Sequence, residues 1–507
     1  MKIKRFISIF LSVLLSLFLW KSVQAQTGNQ SDITNIDTQE INIETNETTN
    51  TPVVDDIEFN NNFSSTTPEE GIEQFEELQA VEYSEHLGTP FFGEISSYSD
   101  IADQLDKLSK LTGTNAAVLY VTSLKDQLSL ILVPPKPDEK DLLNETKNWK
   151  KQQFHQQFKI AQVNQYKIGD IFRTFVKEAN QKELEKVARE FRFKVTDKRN
   201  KAYETSAKQL YNWIIKPIEP VLAINKINNL IFCMGKGLRT LPVAAFYDGE
   251  EFLIEKYSVG LIPSFSLTDT SYVPILESDM IALGVSQSTE GQQALPSVPL
   301  EIQTVGRDIW RNQSQTLLDQ ESTVENLAQR SSQQHFGIVH FATHGDFKPG
   351  NVSNSYIQLW NQKIRLDQIK QLSQELGWNQ DPKVEMLVLS ACRTALGSNE
   401  AELGFSGLSI QAGVKSVLGS LWYVSDQGSL ALMTKFYEEL NNIGLRSESL
   451  RQAQLGMLKK DVRITDQKLY LSPERSIPLP PELINSGRID LSHPYYWSAF
   501  TIVGNWN

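Results

Sequence analysis

Cysteine is nearly absent: the 507 residues hold two, Cys233 and Cys392. Two thiols cannot make a disulfide scaffold or a Cys-rich zinc site, so stability has to come from packed cores. Lys and Arg are missing altogether between Ser22 and Asp106, a stretch that carries 19 Asp or Glu. This stretch supplies more than the whole formal charge of −12, because from Lys107 onward 45 basic residues face 42 acidic ones. The acidity therefore belongs to one tail, and the remainder has no basic excess that would point to nucleic acid or an anionic membrane as partner. Beyond the first twenty residues no segment is long and apolar enough to span a bilayer.

The start of the chain has the anatomy of a signal peptide. Lys2, Lys4 and Arg5 form a positive region, Phe6 to Trp20 an apolar run of 15 residues, and Val23-Gln24-Ala25 a small-residue cleavage site. Fifteen residues fall short of the roughly 20 that cross a bilayer. Residues 1–25 are therefore expected to be removed, leaving an exported protein, periplasmic or extracellular, without a membrane span. Residues 26–95 are rich in Asn, Thr, Asp, Glu and Gln with scattered apolar residues. Such a stretch buries too little to offset its chain entropy and is expected to be a disordered acidic linker, with order setting in near Ser97.

Residues 96–220 read as an N-terminal α/β and helical subdomain. Ile101, Leu105, Leu108 and Leu111 share a helical face, strand-like runs follow at 116–122 and 128–133, and long polar helices at 182–193 and 202–215 are stopped by Pro217 and Pro220. No 34-residue repeat is present, so a helical docking array is not expected. Residues 221–507 alternate strand and helix, with apolar runs at 229–234, 280–285, 337–342, 386–389 and 416–422. This order predicts an α/β fold with a mostly parallel sheet covered by helices on both faces, whose reactive groups gather at the carboxyl ends of its strands.

Two strand ends are chemically conspicuous: Ile338-Val339-His340-Phe341-Ala342-Thr343-His344-Gly345-Asp346, and Met386-Leu387-Val388-Leu389-Ser390-Ala391-Cys392. His344 and Cys392 are 48 residues apart, which suits adjacent parallel strands joined by one crossover and matches the interval of about 50 in the caspase signature. A thiolate attacks, and an imidazole within reach takes the thiol proton and later protonates the leaving amine. Gly345 has no side chain to block substrate, so its N–H and that of Cys392 are candidates to face the oxyanion. A lone Cys at a strand end is usually core and a lone His usually packing; it is their joint occurrence that points to a dyad. Cys233, in an apolar run, reads as a small buried hydrophobe, and His335 and His340 as structural. A metal site from His340, His344 and Asp346 would lack further ligands, so neither metal nor cofactor is expected.

Segments 340–346 (HFATHGD), 389–397 (LSACRTALG), 402–408 (ELGFSGL), 419–422 (GSLW) and 496–506 (YWSAFTIVGNW) together resemble the CHAT domain family, which is common in cyanobacteria and other bacteria and related to caspases and separase. LRTLPVAAF at 238–246 and LIPS at 261–264 extend the likeness over about residues 100–507. The resemblance implies a caspase-like α/β/α sandwich and a cysteine peptidase acting on protein or peptide, with His344 and Cys392 as its dyad. Many CHAT proteins carry tetratricopeptide repeats, whereas this one has a leader and an acidic spacer; a non-catalytic interaction module is the alternative. The segment Leu421 to Asp426 reads as a strand ending in a carboxylate just after a Trp. Asp426 is either an acidic helix cap or, as the similar Trp-x-x-x-Asp segment of separase implies, the wall of a pocket for Arg or Lys. Asp346 is the alternative acidic wall.

Overall fold

In the computed structural model, residues 62–88, 90, 94–137, 167–287, 291–310, 314–394, 398–484 and 489–507 are described. The leader and most of the acidic linker lie outside this set. Among the described residues no helix is long and apolar enough to cross a membrane.

Order begins well before Ser97. Helix α1 (Pro68–Leu87) starts at a capping box in which the Thr67 hydroxyl takes the Glu70 N–H and the Glu70 carboxylate takes the Thr67 N–H; it ends on Gly88 at φ 62°, where a left-handed residue is needed. The expectation of a linker to residue 95 fails because every third or fourth residue here is apolar or finds a buried partner. Ile72, Phe75 and Tyr83 are fully buried and Leu87 nearly so. Low average hydrophobicity hid a real stripe.

Helix α2 (Tyr98–Thr112) follows, capped by Ser97, and then β1 (Ala116–Ser123), β2 (Leu128–Val133) and β3 (Phe172–Val176). β3 lies where no strand was expected; Phe-Arg-Thr-Phe-Val is rich in aromatic and β-branched residues and pairs antiparallel with β2. The expected helices are found as α3 (Gln181–Val195) and α4 (Tyr203–Ile214). The strands β4 (Asn229–Met234), β5 (Ser258–Ile262), β6 (Met280–Gly284), β7 (Ser314–Leu318), β8 (Ile338–Phe347), β9 (Tyr356–Gln358), β10 (Lys363–Arg365), β11 (Met386–Thr394) and β12 (Ser416–Ser420) complete most of one large sheet. A small separate sheet holds β13 (Arg463–Thr465), β14 (Lys468–Tyr470) and β15 (Ser476–Pro478); the last strand, β16 (Phe500–Gly504), returns to the large one.

The large sheet runs β10-β9-β8-β11-β12-β16-β5-β4-β1-β2-β3, with β6 beside the first half of β8 and β7 outside β6. Its central pairs β8–β11, β11–β12, β5–β4 and β4–β1 are parallel, as the alternating pattern predicts. Residues 96–220 and 221–507 thus contribute to a single sheet. β16, formed by the last motif, pairs antiparallel with β12 and parallel with β5, joining the two halves.

Helices cover both faces. Along β1, Leu119 and Val121 join the core containing α3 and α4, whereas Val118 and Tyr120 join a second core with Ile72 and Phe75 of α1 and Ile101 and Leu105 of α2. Continuous burial of β1, β2 and β4 is what a sheet sandwiched between helical layers requires. Cys233 is one of these buried residues, its Sγ directed at the Pro263 carbonyl.

Glu76 ties α1 to this frame. Fully buried, its carboxylate accepts from Tyr120 Oη, Phe265 N and Ser266 N, each at 2.8 Å. Glu76→Ala strands two buried donors and a third that is half-buried, so it is expected to destabilise the fold by about 3 kcal/mol at roughly 1–3 kcal/mol per orphaned group. Urea unfolding of the two proteins measures this, and a loss below about 1 kcal/mol would show that α1 is not docked in solution.

Candidate active site

β8 and β11 lie side by side, and their register sets the site. Met386 to Leu389 pair with Ile338 to Phe341, then Ala391 pairs with His344, Cys392 with Gly345 and Arg393 with Asp346. Between these pairs Ser390 of β11 faces two residues of β8, Ala342 and Thr343, so β8 bulges there. A bulge bends its strand and re-aims the side chains beyond it. The two sequence candidates are thereby brought to adjacent backbone positions, one register step apart. Both strands run on past them, to Phe347 and Thr394, so His344 and Gly345 lie inside the ladder rather than at its end. Gly345 is flanked on its other side by Ile357 of β9.

His344 is held from two directions. Its Nε2 lies 2.7 Å from the Gln293 carbonyl oxygen. A carbonyl only accepts, so Nε2 carries the hydrogen, and in the neutral ring Nδ1 is left as the base. The ring also stacks with Tyr423, centroids 6.4 Å apart and planes 20° from parallel. Tyr423 lies in the segment after β12, which is not the expected strand to Asp426: β12 stops at Ser420, and residues 421–425 form a turn. That turn is pinned by the C-terminal motif. Trp422 Nε1 donates to the Tyr495 carbonyl, Tyr495 Oη donates to the Tyr423 carbonyl, and Leu421 N donates to the Ala499 carbonyl.

Asp426 opens helix α10, counting α5 (Val298–Ile302), α6 (Val324–Ser331), α7 (Leu366–Glu375), α8 (Asn399–Ser406) and α9 (Leu408–Ala412) before it; α10 runs from Asp426 to Ile443. It is not that helix's cap, as expected on the plainer reading, because Ser425 holds the cap position and accepts the Gly428 N–H. The Asp426 carboxylate turns instead to the start of α5. Oδ2 accepts from Ser297 N at 2.7 Å and Oδ1 from the Ser297 hydroxyl. Burial pushes its pKa up to about 6 despite those two donors, and the like charge of Glu301 adds to the rise. Asp346, the other acidic candidate, lies 3.5 Å from Lys348 Nζ.

Beneath lies a buried polar group. His340 Nε2 is 3.1 Å from Glu301 Oε1, and its Nδ1 is 3.1 Å from Tyr437 Oη of α10. All three residues are essentially inaccessible. The carboxylate takes the Nε2 hydrogen and the phenol donates to Nδ1, so His340 is a satisfied structural histidine, as its sequence context suggests.

Helix α8, which follows the Cys392 strand, is fixed by charges from elsewhere. Glu402 Oε1 accepts from Arg192 Nη2 of α3 at 3.0 Å and from Thr240 Oγ1 at 2.6 Å. Arg239 reaches Asn399 Oδ1 at 3.1 Å and Gln79 Oε1 of α1 at 2.9 Å, and also pairs with Glu82. Two segments read separately in the sequence, LRTLP after β4 and ELGFSGL, thus meet. Gly419 lets β12 approach α8, since a Cβ there would come within 2.8 Å of Phe405.

Sequence reasoning missed Gln293, Ser297, Tyr423 and Glu301. Gln293, Ser297 and Glu301 sit in no chemically marked run, and Tyr423, although inside the Leu421 to Asp426 segment, becomes recognisable only through its stacking on His344.

A family model described as the CHAT domain matches residues 204–505, more than half of the chain. No match was found among curated proteins. Two crystal structures of the Saccharomyces cerevisiae separase–securin complex, at 2.6 and 3.0 Å resolution, align with 80% of this chain at 11% and 10% identity, each with a TM-score of 0.39. This chain spans about a third of theirs, 31% and 30% respectively. From the family match, the chain belongs to the CHAT domain family.

Proposed function

We propose that this protein is an exported, caspase-like cysteine endopeptidase with Cys392 as nucleophile and His344 as general base, cutting after a basic residue. The carrying observation is the β8–β11 register, which pairs Cys392 with the residue after His344, together with the carbonyl at Nε2 that leaves Nδ1 as the base. In the proposed reaction Nδ1 takes the thiol proton and sulfur bonds to the scissile carbonyl carbon. The C–N bond then breaks as the imidazolium protonates the amine, and water hydrolyses the thioester. Oxyanion donors would be the N–H groups of Cys392 and Gly345, the latter on condition that it is released from the β9 ladder. Asp426 is the proposed wall of the specificity pocket: a half-buried carboxylate recognises a guanidinium by two parallel charge-assisted bonds.

Three outcomes are expected. Cys392→Ala and His344→Ala should each abolish turnover of a peptide library while the thermal transition stays in place, because thiol without base and base without thiol both leave the nucleophile unactivated. Labelling by a thiol-directed probe that is identical in wild type and Cys392→Ala would leave the interaction-module reading standing instead.

Fluorogenic substrates should show a preference for Arg, then Lys. Asp426→Ala should lose Arg substrates by about tenfold or more and small neutral ones by less, since a hydrogen bond to a charged group is worth about 1.5–3 kcal/mol. The Arg preference should also fall as pH drops through about 6, because an acid with a raised pKa is neutral below it and charged above it. A preference for Asp, or a profile unmoved by Asp426→Ala, would refute the assignment.

Finally, N-terminal sequencing of the protein recovered from an exporting cell should start at or near Gln26. A full-length chain with its leader in the cytosolic fraction would refute export.

A further inference from the structure

Residues 291–297 lie as a strap over β8 at His344 and β9 at Tyr356, and they touch the base, the β9 edge and the acidic wall of the candidate site. Gln292 Nε2 donates to Tyr356 Oη at 2.8 Å, and the Gln293 carbonyl takes Nε2 of His344 at 2.7 Å. Leu295 is buried, its N–H bound to the Ser286 carbonyl at 2.8 Å. The last residue, Ser297, is fully buried and gives both its donors to one carboxylate, N–H to Oδ2 of Asp426 and O–H to Oδ1, while the same hydroxyl lies 3.0 Å from the Asp426 carbonyl.

One donor to each carboxylate oxygen is the pattern a guanidinium presents when it binds bidentately. Ser297 therefore occupies the positions that an arginine side chain would take. The like-charged Glu301 nearby makes an unpaired Asp426 carboxylate costly, so the site is filled by donors from within when no cation is present.

We propose that Ser297 is a latch on the specificity carboxylate: the strap holds Asp426 in a donor-saturated closed state, and a basic substrate side chain enters by displacing Ser297. The proposal rests on the reading of Asp426 as the pocket wall. Four residues upstream the same strap carries the carbonyl that takes Nε2 of His344; the Leu295 N–H bond to the Ser286 carbonyl anchors the segment between them, so release of the Ser297 hydroxyl leaves the base in place. The latch sets a threshold against weak or neutral ligands, and its cost falls on binding rather than on chemistry.

The test compares the full chain with Ser297→Ala and Ser297→Thr, using two reagents that alkylate Cys392. Iodoacetamide is small and reports the reactive thiol alone; an arginyl chloromethyl ketone also needs the pocket. With the hydroxyl donor removed, Ser297→Ala is expected to react about tenfold faster with the arginyl ketone at subsaturating concentration and unchanged with iodoacetamide, while Ser297→Thr, which restores the hydroxyl, returns to the wild-type rate. Equal arginyl-ketone rates in wild type and Ser297→Ala overturn the latch and leave the peptidase reading intact. A wild-type Cys392 inert to both reagents ends the peptidase reading and the latch with it. Hydrogen exchange on the wild type covers the case of a variant that does not fold: benzamidine, a simple amidinium, should speed exchange of the Ser297 amide, and protection unaltered by saturating benzamidine overturns the proposal.

Discussion

Everything at the candidate site depends on how β8 pairs with β11. A parallel ladder repeats every two residues, and a slip of one would exchange the faces of all later side chains. The bulge at Ala342–Thr343 makes such a shift once and at a fixed place, so that Cys392 ends beside Gly345. The bulge lies between residues with different duties. Before it, His340 is sealed against Glu301 and Tyr437; after it, His344 meets Tyr423 and the Gln293 carbonyl. Two histidines four residues apart on one strand thus acquire opposite environments, one sealed and one half-exposed.

The elements around this pair are locked by buried charge more than by shape. Arg192, Arg239, Glu82 and Glu402 sit with Gln79, Thr240 and Asn399 in a network joining α1, α3, the loop after β4 and α8. Buried ion pairs gain little net stability over apolar packing, but losing one partner costs several kcal/mol. Such a network tolerates one arrangement and penalises others, which suits a helix that directly follows the thiol strand. It also gives α1 a role. Coming out of an acidic stretch without a single Lys or Arg, that helix delivers Glu76 and Glu82 to buried donors, Tyr120 Oη and the Arg239 guanidinium among them.

The electrostatics around Asp426 are of another kind. Its carboxylate and that of Glu301 share one low-dielectric neighbourhood; the first is answered by Ser297, the second by His340. Burial and the like charge together lift Asp426 to about 6, within reach of ordinary pH. A group so poised responds to whatever donors come near it. Those donors come from the same backbone segment whose Gln293 carbonyl holds His344.

By itself the sequence determined the layered α/β fold, the parallel core and the two neighbouring strands that carry the candidate residues. These follow from local periodicity and from residue types in adjacent positions, which are properties of short windows. Windows also misled. The stripe of α1 was diluted by seven carboxylates and read as linker, and β3 was too short to stand out from helical surroundings. Tertiary structure alone decided the rest. That the last motif becomes the strand joining both halves of the sheet, that LRTLP meets ELGFSGL through Thr240 and Glu402, and that Ser297 meets Asp426 across 129 residues are pairings made by chain return. No local pattern encodes them, because each partner satisfies its hydrogen bonds with a residue whose distance along the chain carries no physical cost once the fold is closed.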